Sequence, residues 1–140
     1  MKKWLILTML IVMPALAQKK IIYPPEFRPN APFSPGVLVG GTLYVAGQTG
    51  TDLKTNKLPE NFQDEVRSTL DRVGIILKAA GMDYSDAVSV IVYMTDLTQF
   101  AQMNEVYTTY FKANRPVRAT VQVAGLVGGA KVEISVTAHK

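Results

Sequence analysis

Cysteine is absent from this chain of 140 residues, and histidine occurs once, as His139 beside the C-terminus. Without cysteine the chain forms no disulfide, no thiolate metal site, no thiol nucleophile and no lipid-modified cysteine. We expect the lone histidine to be a solvated tail residue, which leaves none for a catalytic triad or a multi-histidine metal centre. Thiol chemistry and multi-histidine metal chemistry are therefore excluded.

The chain also lacks an apolar run of the roughly 20 residues that a bilayer-spanning helix requires. Residues 4–16 form a shorter, nearly unbroken apolar run, which follows two lysines and leads into Ala-Leu-Ala at 15–17. This three-part order is typical of a cleavable secretory signal. We expect residues 1–17 to be a signal peptide that is cut after Ala17, leaving a periplasmic or secreted protein without stable membrane insertion. An uncleaved membrane anchor is the alternative.

Strong positive charge is missing from the remainder of the chain. The first 17 residues hold two lysines and no acid, so residues 18–140 carry 13 basic and 11 acidic side chains, a formal charge of +2. That balance is not typical of a nucleic-acid-binding protein. The 123 residues suit one domain with a single core, which must be stabilised by packing or by contacts between subunits.

The chain does contain clear helix and strand patterns. Residues 18–36, rich in proline, are expected to form an extended arm. Apolar side chains recur every three or four positions from Phe62 to Leu77, between a capping Asn61 and a terminating Gly81, which predicts a helix. Alternating or β-branched segments predict strands at 37–39, 42–46, 87–94, 119–123 and 131–138.

A second helix is predicted from Thr98, and Pro116 prevents its continuation. Its buried side is expected to carry Phe100, Met103, Tyr107, Tyr110 and Phe111. The economical arrangement of these elements is an α+β fold, in which two helices cover one face of a mixed β-sheet.

Side-chain alternation in the last two strands assigns residues to the faces of the sheet. In the final strand, Val132 and Ile134 are expected to face the helices and Glu133 to point away. In the strand before it, Ala119 and Val121 are expected to face the helices, so that Arg118 and Thr120 point away. Arg118 and Glu133 are thus predicted on the uncovered face, which is either hydrated or in contact with other subunits.

Arg118 and Glu133 are also the best candidates for chemistry. An arginine grips a carboxylate through two hydrogen bonds, and a nearby glutamate can hold and deprotonate a water molecule. The alternative is an exposed cross-strand ion pair of little energetic value. The paired glycines at 40–41 and 128–129 match turns rather than a phosphate-binding loop, and Asp83, Asp86 and Asp96 match helix caps rather than a metal site.

Several spaced motifs resemble those of the Rid family (RidA, YjgF-like), over about residues 30–138. They are NAPFS at 30–34, LYVAGQ at 43–48, VYMTDL at 92–97, MNEVY at 103–107, RPVRATVQVA at 115–124 and VEI at 132–134. The resemblance implies a chorismate-mutase-like fold in a homotrimer with clefts between subunits. It also implies hydrolysis of 2-imino or 2-enamino acids to 2-keto acids and ammonia, without metal or cofactor.

The resemblance further implies roles for particular residues. Arg118 matches the arginine that binds the substrate carboxylate, and Glu133 matches the acid that positions the attacking water. The substrate-binding wall would comprise Phe33, Ala46, Gly47, Gln48, Asn104 and Thr120. The chain departs from the family's pattern at Phe33 and Ala46, where a tyrosine and a serine are frequent, and two hydroxyl groups are thereby lost.

Two other functions compete with the deaminase. The two lost hydroxyl groups favour a non-catalytic trimeric module that captures small carboxylate metabolites. Glu133 disfavours it, because such a module needs no acid beside the arginine. A ribonuclease would need a paired acid and base near a basic groove, which the charge of +2 and the single histidine disfavour. The expected partners are a small 2-imino or 2-keto acid and other copies of the chain, and not nucleic acid.

Overall fold

The computed structural model of the protein describes residues 18–140, so the predicted signal peptide and its cleavage site lie outside the described residues. No helix within this range is long and apolar enough to cross a membrane. Its strands are β1 (Lys20–Ile22), β2 (Gly36–Val39), β3 (Thr42–Thr49), β4 (Ala87–Met94), β5 (Val117–Gln122) and β6 (Val132–His139). Its α-helices are α1 (Phe62–Ala79) and α2 (Phe100–Tyr110).

The six strands form one sheet in the order β1-β2-β3-β6-β4-β5. Only β4 and β5 pair in parallel, and every other neighbouring pair is antiparallel. The hydrophobic core lies between one face of this sheet and the two helices, where Leu43, Val92 and Ile134 from three strands are fully buried. The predicted α+β fold with a mixed sheet is therefore confirmed.

Helix α1 forms as the sequence predicts. The Asn61 side chain accepts a hydrogen bond from the Asp64 backbone N–H at 3.2 Å, which satisfies one free donor of the first turn. The predicted apolar stripe, Phe62, Val66, Leu70, Val73 and Leu77, is buried throughout. Gly81 follows the helix with φ of +74°, a left-handed conformation that glycine adopts without strain.

The N-terminal strands are longer and more numerous than predicted. The arm contributes β1, which pairs with β2, and β3 continues to Thr49 where a loop was expected from residue 47. A register shift between Val45 and Gln48 interrupts the pairing of β3 with β6. Such a bulge re-aims the side chains that follow it, and here it lies beside Glu133.

Helix α2 begins later than predicted, because a turn of 3-10 helix at Leu97–Gln99, with Asp96 as its N-cap, precedes it. Its buried residues are Met103, Val106 and Tyr107. The predicted burial of Phe100 is wrong, since this side chain is 40% exposed, and Tyr110 is only partly buried.

The predicted face of β5 is also wrong. Arg118 pairs with Val90 and Thr120 with Val92, and both valines are buried beneath the helices. Residues paired across two strands point to the same face, so Arg118 and Thr120 lie on the helix side of the sheet. The prediction failed because β5 is an edge strand whose apolar side chains, Val117 among them at 72% exposure, face away from the core.

Candidate active site

Glu133 lies where β6 pairs with the end of β3, opposite Thr49. Its carboxylate packs against the backbone of Gly47, so closely that a Cβ added at residue 47 would overlap Glu133 Oε1 and lie 2.8 Å from Cδ. No basic side chain among residues 18–140 lies within 4.0 Å of this carboxylate. The exposed cross-strand ion pair with Arg118 is therefore not formed within the described chain, and Glu133 is free to act on a bound molecule.

A cavity of about 530 Å³ opens beside Glu133, between the N-terminal arm and the loop that follows β3. Five of the predicted site residues line it: Phe33, Ala46, Gly47, Gln48 and Glu133. Phe33 is 58% exposed, and a hydrogen bond of 2.9 Å from the Ala46 N–H to the Pro35 carbonyl ties the arm to β3. The volume is in the usual range for small-molecule sites.

Gln48 and Arg72 form a polar network in the wall of this cavity. Gln48 is 2% exposed, donates to the Ala46 carbonyl at 2.9 Å and accepts from Arg72 Nε at 3.2 Å. Arg72 also donates from Nη1 to the Thr51 carbonyl at 2.8 Å, and its guanidinium lies 5.0 Å from the centre of the Phe27 ring. Burial lowers the pKa of the Arg72 guanidinium, which Asp52 partly opposes. The residue is a half-buried cation held in a fixed orientation.

A buried carboxylate fixes the start of β6. Glu65, fully buried on α1, accepts hydrogen bonds at Oε1 from the backbone N–H groups of Lys131 and Val132, at 2.7 and 3.3 Å. These two residues directly precede Glu133. Glu65 therefore holds the strand end from which the candidate catalytic carboxylate projects.

Glu65 and Arg72 were not among the predicted site residues, although the spacing of polar residues in α1 indicates them. Glu65, Thr69 and Arg72 recur at intervals of four and three, so they form a polar stripe beside the apolar stripe of α1. Two of these three side chains are fully buried. A polar stripe that borders the core stripe indicates groups with specific partners rather than a solvated helix face.

Arg118 belongs to a second cluster, on the helix side of the sheet. Its guanidinium lies 4.6 Å from the centre of the Tyr107 ring and 5.6 Å from that of Phe100. Asn104 lies between these two aromatic residues on the same stripe of α2. No acidic side chain among residues 18–140 lies within 4.0 Å of Arg118. The arginine is thus stacked on aromatic rings and available to bind an anion.

Two buried hydroxyl groups accompany Arg118. Thr120 Oγ1 and Tyr107 Oη have no hydrogen-bond partner among residues 18–140. Burial raises the pKa of the Tyr107 phenol, and the neighbouring Arg118 opposes this rise. Buried hydroxyls are normally hydrogen-bonded, so this cluster, like the first, has unused capacity to bind a polar ligand.

The described chain thus separates the predicted site residues into two half-sites. The Glu133 half-site contains Phe33, Ala46, Gly47, Gln48 and Glu133, and the Arg118 half-site contains Asn104, Arg118 and Thr120. Arg118 lies on the helix side of the sheet and Glu133 on the uncovered face, so the expectation that they share one face is wrong. One half-site offers a carboxylate for proton transfer and the other a cation for anion binding.

The chain is similar to known proteins. The family model described as Endoribonuclease L-PSP matches residues 25–140. A rat protein named 2-iminobutanoate/2-iminopropanoate deaminase is 42% identical over 107 residues, which are 76% of this chain and 78% of the relative. The human protein of the same name is 41% identical over 108 residues, covering 76% and 79% of the two chains.

Solved structures share the fold. The YjgF gene product of E. coli superposes with a TM-score of 0.81 at 34% identity, covering 86% of this chain and 98% of that one. The structure of E. coli TdcF with bound serine gives a TM-score of 0.78 at 32% identity, covering 90% and 98%. Both chains match this one over nearly their whole length.

Proposed function

The chain belongs to the Endoribonuclease L-PSP family, which is the Rid (YjgF-like) family, and we propose that it is an enamine/imine deaminase. Its substrates would be reactive 2-imino or 2-enamino acids, which it hydrolyses to 2-keto acids and ammonia. The names of its rat and human relatives support this assignment. The observation that carries it is the Glu133 carboxylate, which lies unpaired against Gly47 in a cavity large enough for a small acid.

The mechanism uses the two half-sites for different steps. Arg118 binds the substrate carboxylate and presents the C=N carbon to water, since a guanidinium pairs with a carboxylate through two parallel hydrogen bonds. Glu133 takes a proton from the attacking water as the C–O bond forms. The proton held by Glu133 passes to the imine nitrogen, which completes a carbinolamine. The carbinolamine hydroxyl then gives its proton to the nitrogen as the C=O bond forms and the C–N bond breaks, so that ammonia leaves. Water and imine are thereby converted to keto acid and ammonia.

Because Arg118 and Glu133 lie on opposite faces of the sheet, we propose that the working site is an intersubunit cleft in a homotrimer. Arg118 of one subunit would complete the Glu133 half-site of the next. The uncovered face supports this proposal, since Tyr44, Ile91 and Val121 are exposed on it at 55%, 37% and 42%. Apolar exposure of this kind is typical of a surface that meets another subunit.

The test is a coupled assay with freshly generated 2-iminopropanoate and the purified chain of residues 18–140. We expect 2-keto acid formation to be faster than the uncatalysed hydrolysis. Light scattering in the same buffer should give three times the mass of one chain. Binding of keto acids without any acceleration would instead support the trimeric binding module.

An RNA digestion belongs in the same experiment, because the family description names an endoribonuclease. We expect no cleavage. The single histidine, His139, is exposed and lies 3.0 Å from Thr42 Oγ1, at the opposite end of β6 from Glu133. Within one chain it is therefore not placed to act as the partner of this carboxylate in an acid–base pair.

Export is proposed from the N-terminal sequence alone. The charged start, apolar run and Ala-Leu-Ala of the first 17 residues support a mature protein that begins at Gln18, in the periplasm or outside the cell. Mass spectrometry of protein from fractionated cells tests this. Intact Met1 in a membrane fraction would contradict it.

A further inference from the structure

Arg72 is a cation without a nearby counter-charge, in the cavity that also contains Glu133. Both residues line the same cavity of about 530 Å³. Arg72 projects from α1 and is half-buried, and no carboxylate among residues 18–140 lies within 4.0 Å of its guanidinium. A charge taken out of water is costly unless a group of opposite sign approaches it. A ligand that enters this cavity can supply such a group.

The contacts that Arg72 does make orient it and leave donors unused. Gln48 Oε1 and the Thr51 carbonyl accept from Nε and Nη1, and both of these acceptors are neutral. A guanidinium carries five N–H donors, so three have no partner among the described residues. The Phe27 ring covers one face of the group. Arg72 is therefore pre-positioned, which reduces the entropy lost when it binds an anion.

Asp52, the acid whose charge affects the pKa of Arg72, is hydrogen-bonded within its own loop. Asp52 also lines the cavity, and its charge affects Arg72 electrostatically without a direct contact. Its Oδ1 accepts three hydrogen bonds within its own loop, from Lys54 N at 3.0 Å, Thr55 N at 2.6 Å and Thr55 Oγ1 at 2.9 Å. These bonds shape the loop and hold the carboxylate there, so Asp52 does not form an ion pair with Arg72.

We propose that Arg72 binds a second carboxylate of the substrate, so that the preferred substrates are 2-imino dicarboxylates. This inference rests on the proposed deaminase function, in which Arg118 of a neighbouring copy of the chain holds the carboxylate next to the imine carbon. The second carboxylate would then bind Arg72, while the C=N group lies at Glu133 in the same cavity. Arg72 would determine specificity without taking part in proton transfer.

The purely structural alternative is that Arg72 only ties α1 to the end of β3 and to the arm. In that case its replacement would weaken the binding of all keto acids alike. If Arg72 determines specificity, its replacement changes the ratio of the affinities for two ligands that differ only in the terminal carboxylate. The matched pair is 2-oxopentanedioate and 2-oxopentanoate, which have the same number of carbons.

Calorimetric titration of the trimer with these two stable keto acids is the first measurement. We expect the dicarboxylate to bind about tenfold tighter or more, the typical strength of a charge-assisted hydrogen bond. Arg72→Gln should abolish this preference, so that the two keto acids bind with equal affinity. Arg72→Lys should retain part of the preference, because lysine keeps the charge but cannot donate two parallel hydrogen bonds to a carboxylate. Arg67→Gln removes an exposed charge from the same helix and should leave the ratio unchanged.

Kinetics distinguish a failure of this inference from a failure of the proposed function. When the imines of 2-oxopentanedioate and 2-oxopentanoate are generated in the assay, wild-type protein should hydrolyse the dicarboxylate with the higher kcat/KM. Arg72→Gln should still hydrolyse 2-iminopropanoate. Equal affinities in the wild type, or a preference that persists in Arg72→Gln, would overturn the role of Arg72 alone. A protein that accelerates hydrolysis of neither imine would overturn the deaminase function, and with it this inference.

Discussion

Gly47 and Glu133 are in direct contact: the Glu133 carboxylate lies against the glycine backbone and fills the space that a Cβ at residue 47 would need. The backbone of Gly47 does not require a left-handed φ. Glycine is therefore needed at this position for space and not for backbone conformation. That distinction allows the contact to be tested without unfolding the strand.

Gly47→Ala should displace the Glu133 carboxylate and leave the fold intact, because the clash is with the far end of a flexible side chain. A misplacement of about 1 Å at a reacting group can cost about 10²-fold in rate, so we expect a loss of that order in kcat. Gly125→Ala is the matched control, since a Cβ there meets no atom within 4 Å. Unchanged kcat in Gly47→Ala, with Glu133 still required, would contradict the importance of this contact.

The two half-sites predict different kinetic defects for Arg118→Lys and Glu133→Gln. The lysine cannot reproduce the two-point grip on a carboxylate, so keto-acid affinity and kcat/KM should fall by about tenfold or more. The glutamine cannot take a proton from water, so kcat should fall by about 10²-fold while keto-acid binding is retained. Assays of imine hydrolysis, with calorimetry of keto-acid binding, measure both. An Arg118→Lys protein with the wild-type rate and an unchanged circular dichroism spectrum would refute the deaminase mechanism.

Much of the fold follows from local patterns. The stripe of α1, its Asn61 cap and the alternation of β6 depend on residues close in sequence, and all three were predictable. The orientation of β5 was not, because alternation defines two faces without saying which one the helices cover. Its apolar residues face away from the core, and Arg118 packs on α2 instead.

The same reasoning explains what was missed at the site. Motif resemblance identified Glu133 and its neighbours but gave no reason to consider Arg72 or Glu65. Their roles depend on contacts between residues 21 to 67 positions apart in the chain. Only the packing of α1 against β3 and β6 brings these groups together.

Glu65→Ala should destabilise the protein strongly, because it leaves the N–H groups of Lys131 and Val132 without this acceptor and opens a cavity in the core. We expect a loss of about 2–4 kcal/mol in the free energy of unfolding. Glu65→Gln keeps an acceptor oxygen and should lose less. Urea denaturation at one fixed protein concentration measures the difference, since unfolding of an oligomer depends on concentration. Equal stability of Glu65→Ala and wild type would show that β6 is anchored by other contacts.

The intersubunit cleft predicts that two impaired variants restore activity to each other. When Arg118→Lys and Glu133→Gln chains are unfolded together in equal amounts and refolded, each site draws its arginine and its glutamate from different subunits. Random assembly in a ring then gives about one quarter of the sites both intact residues. Activity should therefore recover to about a quarter of the wild-type value. Each variant refolded alone is the control and should keep only its own low activity. If both residues served one site within the same chain, no mixture could exceed its parents, and the absence of recovery would exclude the shared cleft.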